Sequence, residues 1–523
     1  MALKAATRLL LGESIKDAVF DSVVLVSHST AVLEQFEKLK GLLPAVQSYA
    51  QLNAAIDKGA ANLIPTDAVS SSRLIYSSTG SVTSDFDDVR KYSSAATIGI
   101  QTAIKAGSNL PLLVVIPHPR FPEAELVAAT GALHAAYVPY NVRSEENKPL
   151  KIEALGLFPL SDRHSDTKFQ KLVAAVERAF IACRDVGDGD PQRMAPTRVA
   201  EYVEALFEGS NIKVDVESDV ATIAKEYPLL AAVNRAANNV PEHQARVVWL
   251  EYVSEEPSET GKEFETIMLV GKGVTIDTGG VDVKIAGNML GMCRDKYGAA
   301  VVVGFFEALN QLQPKGIKVK AALSLCRNSI GSNSYTCDEI IVSRSNKRIH
   351  IINTDAEGRL AMLDPLTKFT EEAVNEKNPH LYTVATLTGH EVITYGYHAA
   401  IMDNGPARAA GHDLALQATS DIYGQSMEIS RLHYEDLDFN DAETPAADLR
   451  QGNNKPSVAT LRGHMSPAGF LIRGSGLDKH GLDSDSPIKY THVDMGAAMG
   501  EAPKPSYPNP LLALIGFHIL PRL

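Results

Sequence analysis

The chain has 523 residues, a length that favours two domains over one. Hydrophobic residues make up 45% and charged residues 22%, as in a globular protein, and the net charge of −13 argues against a general nucleic-acid surface. No apolar run reaches the roughly 18 residues of a membrane helix. The four cysteines lack metal or redox spacing and are too few for a disulfide scaffold, so we expect a cytoplasmic protein.

Residues 1–185 alternate strand-like and helix-like runs, and this alternation predicts an N-terminal α/β domain. Val23–Val26 and Leu112–Ile116 have the composition of strands. Ala31–Lys40 and Thr167–Ala182 have the spacing of amphipathic helices. We find no combination of residues suited to catalysis in this part of the sequence.

The first residues allow two interpretations. Met1–Gly12 is apolar with two basic residues and no acid, a composition that weakly matches a mitochondrial transit peptide. Acids follow at Glu13, Asp17 and Asp21, however, and a strand-like run begins directly afterwards, which favours the start of the folded domain.

A polar, turn-forming segment at 186–195 is the predicted linker, since it contains Gly187, Gly189 and Pro191. Pro196 then stands where proline commonly opens a helix. Residues 196–523 are predicted to form the second, larger domain.

The second domain continues the alternation of strands and helices, which predicts a mixed or mostly parallel sheet covered on both faces. The expected strands are Arg246–Tyr252, Glu265–Val270, Ile317–Leu325, Glu339–Val342, Lys347–Ile352 and Leu381–Leu387. The expected helices are Gly298–Leu312, Leu360–Val374 and Gly405–Tyr423. Pro365 should fall in the first turns of its helix or kink it, and the apolar run Leu511–Leu520 should be buried.

The octapeptide Asn353–Leu360 (NTDAEGRL) carries two acids, Asp355 and Glu357, and the cation Arg359. It follows the strand-like run Arg348–Ile352 and precedes a helix, a position from which side chains can point into a crevice beside a sheet. Taken alone, these residues are equally compatible with an ordinary helix N-terminus, where capping residues and acids are favoured.

A second cluster argues for a functional site. The run Val270–Gly280 combines an apolar strand with a glycine-rich turn that permits close backbone approach. It carries Lys272 and Asp277, and Lys284 and Asp295 follow shortly after it.

Together the two motifs resemble those of the leucyl aminopeptidase family (peptidase family M17). The members of this family are cytosolic two-metal exopeptidases. The octapeptide matches whole, and the run VGKGVTIDTGG matches with Lys284 and Asp295 at their spacing. The resemblance extends over most of the second domain and includes Ala385–Gly389, Ala447–Leu449 and His492–Asp494. It implies an aminopeptidase acting on peptides with a free N-terminus, with its catalytic domain at 196–523 and an N-terminal domain that serves assembly or regulation.

The resemblance implies two divalent cations, one held by Lys272, Asp277 and Asp295 and the other by Asp277, Asp355 and Glu357. Four unpaired carboxylates in one crevice would repel each other, whereas two divalent cations would balance their charges. Oxygen ligands suit Zn²⁺, Mn²⁺ or Mg²⁺. Lys272 would ligate as a free amine; the alternative for a lone lysine is a simple ion pair with an acid.

Two further cationic residues are implied to act in catalysis. Lys284, as an ammonium, would stabilise the oxyanion that develops when a metal-activated water attacks a peptide carbonyl. Arg359 is implied to hold a bicarbonate that relays the proton of this water, so no histidine is needed as the base. We expect His350, His390 and His492 to be structural or pocket residues rather than metal ligands.

The pocket for the first substrate residue is placed by the resemblance at Met289, Met292, Thr386, Leu387 and Gly389. Methionine is flexible and apolar, so the pocket should accept leucine-like side chains. For both methionines, plain core packing is the alternative.

Several segments depart from the usual family pattern. His390 replaces a small residue, residues 462–469 replace a run of small residues, and Lys296-Tyr297 stand where small or apolar residues are usual. The linker contains glycine and aspartate in place of asparagine and proline. These departures surround the pocket and the subunit contacts of the implied homohexamer, so they bear on substrate range and assembly rather than on the metal ligands.

Two other functions are alternatives. The first is a catalytically weak relative that serves as a structural or regulatory subunit. Such a protein would gain nothing from keeping the whole set Lys272, Asp277, Lys284, Asp295, Asp355, Glu357 and Arg359. The second is nucleic-acid binding, which some relatives combine with peptidase activity, and the acidic balance of the chain argues against it.

Overall fold

A computed structural model describes residues 6–145, 150–161, 166–455 and 459–523, which form two compact units. The first unit contains the described residues up to Ile181 together with Asp421–Gln425, and the second contains Ala182–Ser420 and Ser426–Leu523. The division falls inside a helix that ends at Asp188, so the segment 186–195 begins within the last turn of that helix. The next helix starts at Pro196, where the sequence predicts it.

The first unit is an α/β sheet domain. Its strands are β1 (Arg8–Leu11), β2 (Ser22–Ser27), β3 (Ala61–Pro65), β4 (Arg73–Ser78), β5 (Pro111–Val115) and β6 (Ala154–Phe158). Its helices are α1 (Leu43–Leu52), α2 (Arg90–Lys105), α3 (Ala124–Ala136), α4 (Tyr140–Glu145) and the first part of α5 (Asp166–Asp188). The sheet order is β1-β6-β5-β2-β4-β3, with every neighbouring pair parallel except β3 with β4. The apolar runs predicted as strands form β2 and β5, both completely buried.

Two expectations for the first unit need correction or restriction. The helix predicted at Ala31–Lys40 is wrong, because this stretch forms two short 3-10 turns, Thr30–Gln35 and Glu37–Leu42, separated by the extended residue Phe36. Of the segment that weakly matches a transit peptide, residues 1–5 lie outside the described residues. Its later part forms β1, which pairs with β6.

The second unit contains the longer sheet and the remaining helices. Its strands are β7 (Lys213–Glu217), β8 (Arg246–Ser254), β9 (Glu265–Asp277), β10 (Ile317–Asn328), β11 (Ile340–Val342), β12 (Arg348–His350), β13 (Pro379–Ala385), β14 (Ala399–Asp403), β15 (Met427–Ile429), β16 (Leu449–Arg450) and β17 (Lys489–Asp494). Its helices are α6 (Pro196–Phe207), α7 (Val220–Glu226), α8 (Pro228–Asn234), α9 (Tyr297–Leu312), α10 (Glu357–Ala373), α11 (Gly389–Tyr395), α12 (Gly405–Ala409), α13 (His412–Ile422), α14 (Tyr434–Asp438), α15 (Ser466–Ser475) and α16 (Leu511–His518).

The central sheet of the second unit is mixed, in the order β15-β14-β17-β13-β9-β10-β8-β7. Strand β9 lies between β13 and β10 and is parallel to both, so its side chains are buried on both faces. Helix α10 covers one face with the core residues Leu360, Leu363 and Leu366. This arrangement confirms the predicted α/β fold with a mixed sheet flanked by helices.

Three details of the second unit differ from the sequence-based expectations. The helix expected at Gly405–Tyr423 is divided into α12 and α13, because Gly411 adopts a positive φ of 71°. The strand before the octapeptide belongs to a small sheet, β11-β12-β16, and not to the central one. Helix α10 already begins at Glu357, so Pro365 lies in its interior rather than in its first turns.

The C-terminal apolar run forms α16 and is buried, as predicted. Within the described ranges, no helix has the length and apolar character needed to cross a membrane.

Candidate functional site

The candidate site lies where three chain segments of the second unit meet. Strand β9 carries Lys272 in its interior and ends at Asp277. A 3-10 turn that precedes α9 carries Asp295, and the N-terminus of α10 carries Asp355 and Glu357. The parallel strands and the following helices therefore bring together all five residues that the resemblance implies as metal ligands.

Two lysines each connect two of these acids. The Nζ of Lys272 lies 2.7 Å from Oδ1 of Asp295 and 2.8 Å from Oε1 of Glu357. The Nζ of Lys284 lies 2.8 Å from Oδ2 of Asp277 and also contacts Asp355, at 2.6 Å from its Oδ1. Two ammonium groups thus face four carboxylates, which leaves a local excess of negative charge.

The donor set fits divalent cations. Carboxylate oxygens of Asp277, Asp355 and Glu357 lie within 4.8 Å of one another. Among the described residues, Oδ2 of Asp295 and Oε2 of Glu357 are buried without a hydrogen-bond partner. Buried carboxylate oxygens are costly when unpaired, and a cation would satisfy both.

The electrostatics of the site follow from burial. Burial, together with the charge of Asp277, raises the pKa of Asp355 to about 7, and burial raises the pKa of Asp295 well above its usual range. Burial opposes the charge of Lys272 as well, but the carboxylates of Asp295 and Glu357 outweigh it and hold the pKa of this lysine above its ordinary value. These two carboxylates therefore favour the ammonium form of Lys272.

Arg359, two residues after Glu357, reaches the same site from the first turn of α10. Its guanidinium donates to the main-chain oxygen of Gln451 at 3.0 Å. Burial lowers the pKa of Arg359 to about 10, so it stays charged near neutrality.

The octapeptide is held by residues that the sequence analysis did not identify. The side chain of Gln451 accepts from the amides of Ile352 and Asn353 and donates to the carbonyls of Asn353 (2.7 Å) and Ala356 (2.9 Å). Asp282 accepts from the amide of Thr354 at 2.7 Å. These contacts come from distant parts of the sequence, and no local motif marks them.

A cavity of about 810 Å³ opens at the acids. Lys284 and Arg359 line it, as do four of the five predicted pocket residues, Met292, Thr386, Leu387 and Gly389. The fifth, Met289, is half-buried and lies outside the lining.

The three histidines near the motifs occupy different surroundings. His390 lines the cavity. His492 is fully buried and its Nδ1 lies 2.7 Å from Oγ1 of Thr383. His350 has its Nε2 3.5 Å from Asp338, and none of the three belongs to the group of acids that could hold a metal.

Comparisons with known proteins identify the family. A family model described as the catalytic domain of the cytosol aminopeptidase family matches residues 181–510. The candidate aminopeptidase W07G4.4 of Caenorhabditis elegans is 54% identical over 522 residues, which cover 99% of each chain. A protein of Aeromonas hydrophila named as a cytosol aminopeptidase is 32% identical over 342 residues, 63% of this chain and 61% of its own length. The chain belongs to the cytosol aminopeptidase family, which confirms the predicted resemblance.

Solved structures share the fold along most of the chain. The leucyl aminopeptidase from Trypanosoma cruzi has a TM-score of 0.78 at 20% identity and covers 99% of this chain and 97% of its own. The bottromycin maturation enzyme BotP in complex with Mn has a TM-score of 0.75 at 19% identity, covering 95% of this chain and 98% of its own. At these identities, the similarity extends to the fold alone.

Proposed function

We propose that the chain is a metal-dependent aminopeptidase that releases leucine-like, apolar residues from the N-terminus of peptides. The observation that carries the proposal is the convergence of four acids with Lys272, Lys284 and Arg359 at one cavity. Family membership supports the aminopeptidase chemistry. The apolar side chains of Met292 and Leu387 in the cavity lining support an apolar first residue.

Two divalent ions, Zn²⁺, Mn²⁺ or Mg²⁺, fit the donor set of the site. Lys272, Asp277 and Asp295 would hold one ion, and Asp277, Asp355 and Glu357 the other. When bound, the ions would supply an activated water and polarise the carbonyl of the scissile peptide bond. The bound ions would neutralise the carboxylate charges of Asp295 and Glu357, which favour the ammonium form of Lys272. Lys272 could then offer a neutral amine to the ion.

Two cationic residues would act on the reacting atoms. Lys284 lies at the cavity wall, where its ammonium can donate to the oxyanion as charge develops on the peptide oxygen. Arg359 presents a charged planar donor group at the same cavity. Such a group suits a bicarbonate, and we assign Arg359 to holding this anion for proton transfer.

The family resemblance also leads us to propose a homohexamer that acts in the cytoplasm. Light scattering of the purified protein at micromolar concentration should give the mass of six chains. A monomeric mass would contradict the assembly without affecting the proposed chemistry.

The central experiment is hydrolysis of a leucyl chromogenic amide with and without a chelator, followed by re-addition of Mn²⁺. We expect chelation to abolish hydrolysis and Mn²⁺ to restore it. A leucyl amide blocked at its amino group should not be cleaved, which separates an aminopeptidase from an endopeptidase. The alternative, a catalytically weak structural or regulatory subunit, predicts metal uptake without hydrolysis of any aminoacyl amide.

A further inference from the structure

Lys296, the residue after a predicted metal ligand, is fully buried at the end of α5. Its Nζ donates to the main-chain oxygens of Gly189 (2.7 Å), Gly187 (3.4 Å) and Cys293. Burying an ammonium is costly unless its donors are satisfied, and here three carbonyl oxygens accept from it. Carbonyls at a helix C-terminus also carry partial negative charge, which suits a cation.

Arg294, on the other side of the same predicted ligand, holds the end of α5 as well. Its Nε lies 2.9 Å from Oδ1 of Asp188, and its guanidinium donates to the main-chain oxygens of Gly500 (3.0 Å) and Lys504. The other carboxylate oxygen of Asp188 accepts from the amide of Ser506 at 2.9 Å. The same contacts therefore fix the segment that begins at Gly500, a residue of the cavity lining.

The fit at the end of α5 is steric as well as polar. A β-carbon added to Gly187 would lie 2.4 Å from the ring of Tyr297, and the hydroxyl of Tyr297 lies 2.7 Å from Oγ of Ser506. The structure places the glycine at 187 in contact with both Lys296 and Tyr297. The absence of a side chain at Gly187 leaves space for the ring of Tyr297, and the main-chain oxygen of Gly187 accepts from Lys296.

Building on the proposed metal function, we propose that Lys296 and Arg294 are positioning residues that set the carboxylate of Asp295 for its metal ion. Oδ1 of Asp295 already receives bonds from Lys272 (2.7 Å) and from Oγ1 of Thr386 (3.0 Å). These two bonds hold the side chain of Asp295 on the cavity side. Its main chain is held on both sides, because Arg294 and Lys296 are bonded to the C-terminal end of α5. Metal ligands must be placed within about 0.5 Å of their productive position, so a looser turn would weaken binding of the ion at Asp295.

The test is Mn²⁺ binding to the full chain, measured by titration calorimetry on wild type, Lys296→Met and Arg522→Met. Arg522 is a matched control because it is also a buried cation that donates to main-chain oxygens, those of Gly316 (2.7 Å) and Glu263 (2.9 Å). Its ion pair is with Glu265, at 3.3 Å, and not with an acid of the candidate site. We expect Lys296→Met to weaken one of two Mn²⁺ sites about 10–100-fold, as for other residues that orient metal ligands. Arg522→Met should leave both affinities within about twofold while lowering the thermal unfolding midpoint.

A second variant approaches the same contact from α5 and covers the case in which Lys296→Met does not fold. Gly187→Ala should weaken the same Mn²⁺ site, because its methyl group pushes against the Tyr297 ring. Gly187→Ala combined with Tyr297→Leu should recover much of the affinity. Wild-type affinities in every folded variant of Lys296 and Gly187 would overturn the inference while leaving the proposed function intact. A wild type that binds no Mn²⁺, Zn²⁺ or Mg²⁺ would overturn the proposed function itself.

Discussion

A β-carbon added to Gly463 would lie 2.2 Å from Nε2 of His390. Both residues line the cavity. The neighbouring His464 bonds Oγ of Ser430 at 2.8 Å and lies edge-on to Tyr395. His390 and Gly463 therefore form one packing arrangement, in which the absence of a side chain at Gly463 leaves room for the imidazole on the cavity wall.

This contact predicts that His390 limits the size of the first substrate residue. His390→Ala should raise kcat/KM for a phenylalanyl amide relative to a leucyl amide by about tenfold, the range typical of a small change in pocket volume. Gly463→Ala should lower kcat/KM for both amides, because it displaces the imidazole. On the His390→Ala background, Gly463→Ala should have little effect, and an unchanged effect there would show that the two residues do not act through their contact.

The predicted ligands can be tested through charge-removing variants. Asp355→Asn and Glu357→Gln should each abolish turnover and reduce the metal content, since each removes a charge that balances a buried cation. Asp338→Asn is the matched control, because Asp338 has a highly exposed side chain and a positive φ that asparagine tolerates. Elemental analysis of the purified variants measures the outcome. Two retained metals and a near-normal rate in either ligand variant would refute the assignment.

A third prediction concerns the pH dependence of stability. Glu391 is fully buried next to Asp494, and burial raises the pKa of its carboxyl group to about 10 from an ordinary value of 4.5. The folded state thus keeps a proton that the unfolded state loses. Glu391 therefore reduces stability progressively as the pH rises from the pKa of this group in the unfolded state towards its pKa in the folded state. The side chain of the Glu391→Gln variant has no carboxyl group to titrate, so this loss of stability with rising pH is absent from the variant.

The free energy of unfolding of wild type and Glu391→Gln, measured by urea titration, tests this sign. The variant should gain on wild type by about 2.7 kcal/mol between about pH 6 and pH 8, because each pH unit between the two pKa values changes stability by about 1.4 kcal/mol. Glu208→Gln, a change at an exposed glutamate, should show no such gain. A constant difference between Glu391→Gln and wild type across this range would show that Glu391 titrates normally.

Local sequence patterns predicted the parts of the fold that are set by local physics. The apolar run at β9 and the helical spacing of α9 and α10 are visible in the sequence, so the segments that carry the acids could be placed in order. The expected helix at Ala31–Lys40 was wrong because its spacing is helical but Phe36 is extended. The small sheet that contains β12 depends on pairing with distant strands, which no local pattern encodes.

The candidate site was visible in outline for the same reason. Two motifs supplied its acids and cations, whereas the support of the octapeptide comes from Gln451, 98 residues away from Asn353. A lone glutamine carries no signal of this role until the fold brings it into place. Met289 lies outside the cavity lining, so its assignment to the pocket stays a prediction that rests on the matching position alone.

The last prediction separates the roles of Lys284 and Arg359. Lys284 is assigned to an oxyanion that exists mainly in the transition state, so Lys284→Ala should lower kcat about 10²–10³-fold with little change in KM. The lysine also contacts Asp277 and Asp355, so metal content must be measured in the same sample. Both metals should be retained, because the ions themselves balance these acids.

Arg359 is assigned to holding an anion, a role that water can partly replace. Arg359→Ala should therefore cost less in kcat than Lys284→Ala, and bicarbonate should stimulate the wild type but not this variant, because only the guanidinium binds the anion through two parallel bonds. Arg359→Lys is the informative control, since it keeps a positive charge but not the planar geometry. A near-normal rate in Lys284→Ala together with inactivity in Arg359→Ala would mean that the two assignments must be exchanged.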